Sequence, residues 1–224
     1  MLPYRLIRSR RKTIVVLVTK DAQVEVRAPL KAPVSLIEEF LTEKESWIQT
    51  HLKQRKQELL KRANFSVGEG DRLLYLGREY PVYLSLEHRR PCFDGEKFIL
   101  PEKEFSENKP LIVALYKGLA KEHIAERILF YSGIVGVAPS AVKVGSASTR
   151  WGSCSGKNSL NFTWKLILAP REAVDYVIVH ELCHILQHNH SARFWREVKR
   201  VLPDYKKREL LLRPLQKRLS EENW

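Results

Sequence analysis

The spacing of apolar and polar positions changes character twice along the chain. Near the start, the β-branched runs 13–18 and 23–27 flank Lys20 and Asp21 and read as a β-hairpin that Pro29 closes, since proline cannot donate to a ladder. Helical spacing follows over 35–40, and Thr42 with Glu45 three residues on predicts a capping box for a longer helix to about Arg62. Trp47 and Ile48 are expected to face inward on it. Gly68 and Gly70 break the pattern, and short runs over 73–76, 80–86 and 97–100, with turn residues at Gly77 and Asp94-Gly95, describe a β-rich unit.

Beyond residue 105 the period lengthens. Pro110 suits a first helical position, and Leu111, Leu115, Leu119, Ile128 and Leu129 carry a helix to Gly133, an expected stop. Val142 and Val144 mark a short strand; Leu160, Phe162, Trp164, Leu166 and Leu168 alternate with polar residues in another, the two flanking a loop at 150–155. A second helical stretch, 174–188, follows Pro170; Ser191 can cap the next helix, and Pro203 precedes a basic tail helix. The pattern implies an α+β protein. A small β-rich N-terminal unit with helices, 1–105, precedes a second domain, 106–224, of helices and a short β-sheet.

With 224 residues, 44% of them hydrophobic, the chain can bury a core. No run of about 18 apolar residues is present, and the basic start, Met1 to Lys12, lacks the apolar stretch of a secretory signal. A cytoplasmic protein without a membrane span is the expectation. Three cysteines in separate contexts, Cys92, Cys154 and Cys183, make no disulfide framework. The net charge of +13 and pI near 9.7 attract polyanions, nucleic acid and nucleotide phosphates among them, although a basic helical face is as often simply solvated.

The sharpest chemistry lies in the 174–188 helix, at His180-Glu181-Leu182-Cys183-His184. Two histidines four apart share one helix face a single turn apart, so both imidazoles can bind one zinc, and Glu181 at the edge of that face can serve a zinc-bound water as general base. Val174, Ile178, Leu182 and Ile185 form the opposite, core-facing stripe. A catalytic zinc needs a third protein ligand and an open position. His188 lies about 12 Å along the axis from His180 at roughly 1.5 Å per residue, too far. His190 is preferred, because Asn189 tolerates the left-handed turn that would swing it back; Glu197 and Glu209 are the other candidates.

The stretch from Tyr176 to His184, with His190-Ser191 and Phe194-Trp195, resembles the YgjP-like metallopeptidase family, related to the SprT-like zincins. So do Arg150-Trp151-Gly152-Ser153-Cys154-Ser155, Asn161-Phe162 and Leu168-Ala169-Pro170, and the N-terminal runs Arg11-Lys12-Thr13-Ile14 and Val26-Arg27-Ala28-Pro29. The resemblance implies a zincin-like hydrolase domain in which His180, His184 and His190 hold Zn2+ and Glu181 is the catalytic base. A metzincin is not indicated: Gln187 takes the glycine position of that longer motif, and the only methionine is Met1.

The expected function is therefore a zinc-dependent metallopeptidase acting on a peptide or protein. Two rivals remain: a nucleotide phosphohydrolase using the same metal site, and a nucleic-acid-associated protein with a structural zinc closed by a fourth ligand. Arg150 and Trp151 are candidate substrate-binding residues, Arg150 for an anionic group or a developing oxyanion. The same two side chains stacked to hold the loop would look no different in sequence.

Overall fold

In the computed structural model, which describes residues 2–224, the first elements are strands β1 (Tyr4–Ser9), β2 (Val15–Val18) and β3 (Val24–Pro29). The expected hairpin is present, with β2 antiparallel to β3 and Val16 opposite Val26. Strand β1, which the sequence pattern did not reveal, lies parallel to β3 on its other side, so the order is β1-β3-β2. Helices α1 (Val34–Glu43) and α2 (Glu45–Ala63) follow. Val24, Val26 and Ala28 bury one face of β3 in a cluster with Ile37, Ile48 and Leu52.

Two local expectations fail here. No capping box forms, because Thr42 belongs to the end of α1 and its hydroxyl donates back to the Glu38 carbonyl at 2.9 Å. Trp47 is 42% exposed and stacks on His51 instead of turning inward. Neighbouring helical positions point 100° apart, and only Ile48 shares a face with Leu52.

The chain divides into two compact units, residues up to 65 with 219–223, and residues 66–218 with 224. The boundary expected near residue 105 falls inside the second unit. The four-stranded sheet of β4 (Arg72–Tyr75), β5 (Arg78–Ser85), β6 (Cys92–Phe93) and β7 (Phe98–Pro101), in the order β4-β5-β7-β6, belongs with the helix that follows it. That helix is α3 (Phe105–Val135), whose Tyr116 hydroxyl donates to the Leu74 carbonyl at 2.8 Å and whose ring lies 5.7 Å from Phe98. Interactions between strand and helix, invisible in local sequence, decide the division.

Helix α3 starts earlier and stops later than its punctuation suggested. The Asn108 side chain donates to the carbonyls of Pro101 and Lys103, tying a first turn that begins at Phe105 and leaves Pro110 inside the helix. At the far end Gly133 is passed over and Gly136, at φ 81°, supplies the left-handed C-terminal cap. The buried stripe runs through Ile112, Tyr116, Ala120 and Ile124, one position on from the leucines first expected.

The third sheet, β8 (Ala141–Gly145), β9 (Gly152–Cys154) and β10 (Ser159–Thr163), has the order β8-β10-β9. Within the 150–155 segment, Gly152–Cys154 is thus an edge strand. After Thr163 the chain enters a 3₁₀ turn, Trp164–Leu168, in place of continued strand, and every residue there except Lys165 is buried. The β4–β5 turn docks on this segment: Leu76 N–H donates to the Ile167 carbonyl at 2.8 Å. Helix α4 (Arg171–Leu186) then packs on α3, followed by α5 (Ala192–Val201), α6 (Tyr205–Leu210) and α7 (Leu212–Glu221). The α+β class expected from the sequence holds, and among the described residues no helix is long and apolar enough to cross a membrane.

Candidate metal centre and cleft

Helix α4 is buried almost all round, from Ala173 to Cys183 with the exception of His180. A helix apolar on every side is held by the interior. Its polar anchor is Asp175, whose carboxylate accepts two hydrogen bonds from Arg127 of α3, at 2.7 and 3.0 Å, and one from the Tyr131 hydroxyl at 3.0 Å. These contacts fix α4 against α3 about one and a half turns before the histidine pair.

His180 and His184 project from one face, and their Nε2 atoms are 3.2 Å apart. The helix ends at Leu186 because Gln187 is extended, with φ −144° and ψ 102°. The reversal therefore comes two residues before Asn189, which keeps a negative φ and instead accepts from Ser191 N–H at 3.2 Å. Ser191 accepts in turn from Phe194 N–H and caps α5. This short return brings His190 Nε2 to 3.1 Å from His180 Nε2.

The ring orientations follow from neighbours. A carbonyl oxygen only accepts, so the 3.0 Å contact of His184 Nδ1 with the Gln187 carbonyl places the proton on Nδ1 and leaves the Nε2 lone pair facing the other two rings. His184 stacks on Phe194 at 4.5 Å and His190 on Trp195 at 5.7 Å. His180 has no hydrogen bond at its buried Nδ1, and is held by the rings of Phe194 and Tyr176 at 4.9 and 5.8 Å. Burial and the neighbouring imidazoles push its pKa down to about 3, so its nitrogens stay available as ligands.

Three imidazole nitrogens pointing at one another cannot all be satisfied by hydrogen bonds, since each pair needs a donor. A cation at their centre satisfies all three. Tetrahedral coordination with metal–nitrogen bonds of about 2.0–2.1 Å separates ligand nitrogens by roughly 3.3 Å, close to the 3.1 and 3.2 Å found here. Among the described residues, His180, His184 and His190 form the one group arranged to hold a metal ion. His188 is exposed and outside it. Glu197 is bound to Arg200 at 2.9 Å, and neither Glu209 nor any cysteine joins the group. Cys183 is fully buried, and burial lifts its thiol to about 12.

Glu181 follows His180 on the helix, shares a cavity with it, and has 6% of its surface exposed. Burial raises its carboxyl pKa to about 7, against the pull of the Arg150 guanidinium. The carboxylate lies tight against β9: a Cβ built on Gly152 would come within 2.7 Å of Glu181 Cγ and 2.8 Å of Oε1. Glycine at 152 is thus required by space, because its φ lies outside the left-handed region.

A cavity of about 380 Å³ opens in front of His180 and Glu181. Arg150, Trp151 and Gly152 form part of its lining, so the two residues singled out in sequence stand in the same cavity as His180 and Glu181. Sequence reasoning missed another part, where Leu212, Arg213 and Gln216 of α7 join Glu209 of α6 in the lining. No motif marks them, and only the return of the tail helices brings them here. Tyr176 was discoverable, being one turn before His180 on the same face.

Residues 12–214 match the family model described as YgjP-like, metallopeptidase domain. The crystal structure of the metallopeptidase zymogen of Pyrococcus abyssi abylysin is similar over 44% of this chain and 97% of that one, at 20% identity and a TM-score of 0.38. No curated protein matches the chain significantly.

Proposed function

This chain belongs to the YgjP-like metallopeptidase family, and from that premise we propose that it is a zinc peptidase whose metal is held by His180, His184 and His190 and whose general base is Glu181. The observation that carries the reading is the convergence of three Nε2 atoms, 3.1 and 3.2 Å apart, with His180 of that group and Glu181 lining one cavity. Three imidazoles suit zinc, and when bound it supplies a Lewis acid that polarises a carbonyl and acidifies water. Glu181 accepts the proton of the attacking water and returns it to the leaving amine.

A peptide as substrate is supported by the edge strand. Trp151 O accepts from Thr163 N–H and Ser155 N–H donates to Ser159 O, so alternate residues of β9 face β10. Gly152 and Cys154 accordingly turn their N–H and C=O groups to the open edge, next to Glu181, where an extended chain can add as a further strand. A structural zinc would require a fourth protein ligand, and no other His, Cys, Asp or Glu joins the three histidines among the described residues.

The test is turnover of a quenched-peptide library, beside nucleoside triphosphates, by wild type and Glu181→Gln. The variant should retain zinc and lose activity by roughly 10²–10⁴-fold. Wild-type turnover by Glu181→Gln, or hydrolysis of the nucleotides alone, refutes the proposal.

A further inference from the structure

Resting on the peptidase reading, we propose that Arg150 and Arg213 form a carboxylate-reading subsite, so that the substrate carries an acidic side chain beside the bond that is cut. The two residues, one just before β9 and one on α7, both line the cavity that contains His180 and Glu181. Elsewhere in the same unit several arginines are paired with acids: Arg127 with Asp175, Arg200 with Glu197, Arg208 with Asp204 and Arg218 with Glu79. Arg150 and Arg213 have no hydrogen bond or ion pair to any described residue, although the cavity has Glu181 and Glu209 within it.

Both carboxylates have other roles. Glu181 is packed under Gly152, where Arg150 acts on it through space without a hydrogen bond. Glu209 lines the same cavity as Tyr176, near enough for its charge to help raise the phenol pKa. The cleft therefore offers two open guanidinium groups and one competing acid. A planar guanidinium binds a carboxylate through paired hydrogen bonds, and two of them in a recess of about 380 Å³ favour an anionic side chain over a neutral or cationic one. Glu209, in the same lining, opposes that preference.

Three matched quenched peptides, with Glu, Ala or Lys beside the cleaved bond, test the subsite on the zinc-loaded full chain. Wild type should favour the Glu peptide over the Ala peptide by roughly tenfold, mainly through KM. Arg213→Ala should lose that preference, read as the ratio of the Glu and Ala peptides, Arg213→Glu should shift it toward Lys, and Glu209→Gln should sharpen it toward Glu. Equal treatment of the three peptides by wild type, or an unchanged preference in Arg213→Ala, overturns the subsite while leaving the peptidase reading intact.

A binding arm keeps the two readings separate. Fluorescence anisotropy of the labelled peptides on Glu181→Gln should show the same order, Glu above Ala above Lys, whether or not any is cleaved by wild type. Absence of that order, or displacement by a nucleoside triphosphate with no peptide binding at all, contradicts the proposal. Peptides bound in that order by Glu181→Gln but cut by no wild-type preparation would uphold the subsite and remove the peptidase.

Discussion

Replacing Gly152 with alanine adds one methyl group at the most crowded point of the cleft. The new Cβ would stand 2.7 Å from Glu181 Cγ, 2.8 Å from Oε1 and 3.0 Å from Cδ, whereas carbon atoms rest about 3.5–4.0 Å apart. One side must give by roughly 1 Å. Strand β9 is poorly placed to yield, because Gly152 and Cys154 are in register with Phe162 and Leu160, which are buried at 2% and 0% exposure. The Glu181 side chain moves instead. Since Gly152 is not in the left-handed region, the alanine brings no backbone strain and the effect is steric. A displacement of about 1 Å in a reacting group costs on the order of 10²-fold in rate, with about 1–3 kcal/mol of stability lost to overpacking. The assay measures kcat and KM on a cleaved peptide together with zinc content: kcat should fall about 10²-fold with zinc unchanged. Glu181→Asp, one methylene shorter, leaves room for the methyl, so the double variant should be no slower than Glu181→Asp alone. A wild-type kcat in Gly152→Ala, or fully additive losses in the double variant, would refute this account of Glu181.

Two further outcomes follow from groups behind the cleft. Asp175→Ala strips Arg127 and Tyr131 of the acceptor they share at 2.7–3.0 Å and should cost about 2–4 kcal/mol in urea unfolding, since the pair is mostly buried; a loss under about 0.5 kcal/mol would place the network among surface pairs. His123 is buried, and burial first, then the Arg171 charge, lowers its pKa below 6.5. Below pH 6.5 the unfolded chain therefore binds a proton that the folded one refuses. Its stabilising share is complete above 6.5 and is lost as pH falls from there through the folded pKa. Stability of wild type should drop more steeply than that of His123→Gln between about pH 6.5 and 5, and parallel curves would count against it.

The metal helix was legible because two signals coincide in it, a 3.6-residue apolar period and a His-Glu-x-x-His spacing that puts both rings on one face. The placement of His190 was also within reach, although the reversal occurs at extended Gln187 and not at a left-handed Asn189. What escaped depends on partners distant in sequence. Strand β9 is three residues, Gly152, Ser153 and Cys154, with no apolar alternation to announce it; only pairing with β10 makes it an edge. The division at residue 65, the parallel partner β1 and the lining that Leu212, Arg213 and Gln216 add likewise arise from packing that no local pattern encodes.

Metal content tests the central claim most directly: elemental mass spectrometry on protein purified without chelator or a histidine tag, for wild type, His190→Ala and His188→Ala. The three-histidine centre predicts near-stoichiometric zinc in wild type, loss of it in His190→Ala and retention in His188→Ala, whose imidazole is exposed and outside the cluster. Wild type that takes up no transition metal even after reconstitution, or His188→Ala that loses as much as His190→Ala, would contradict it.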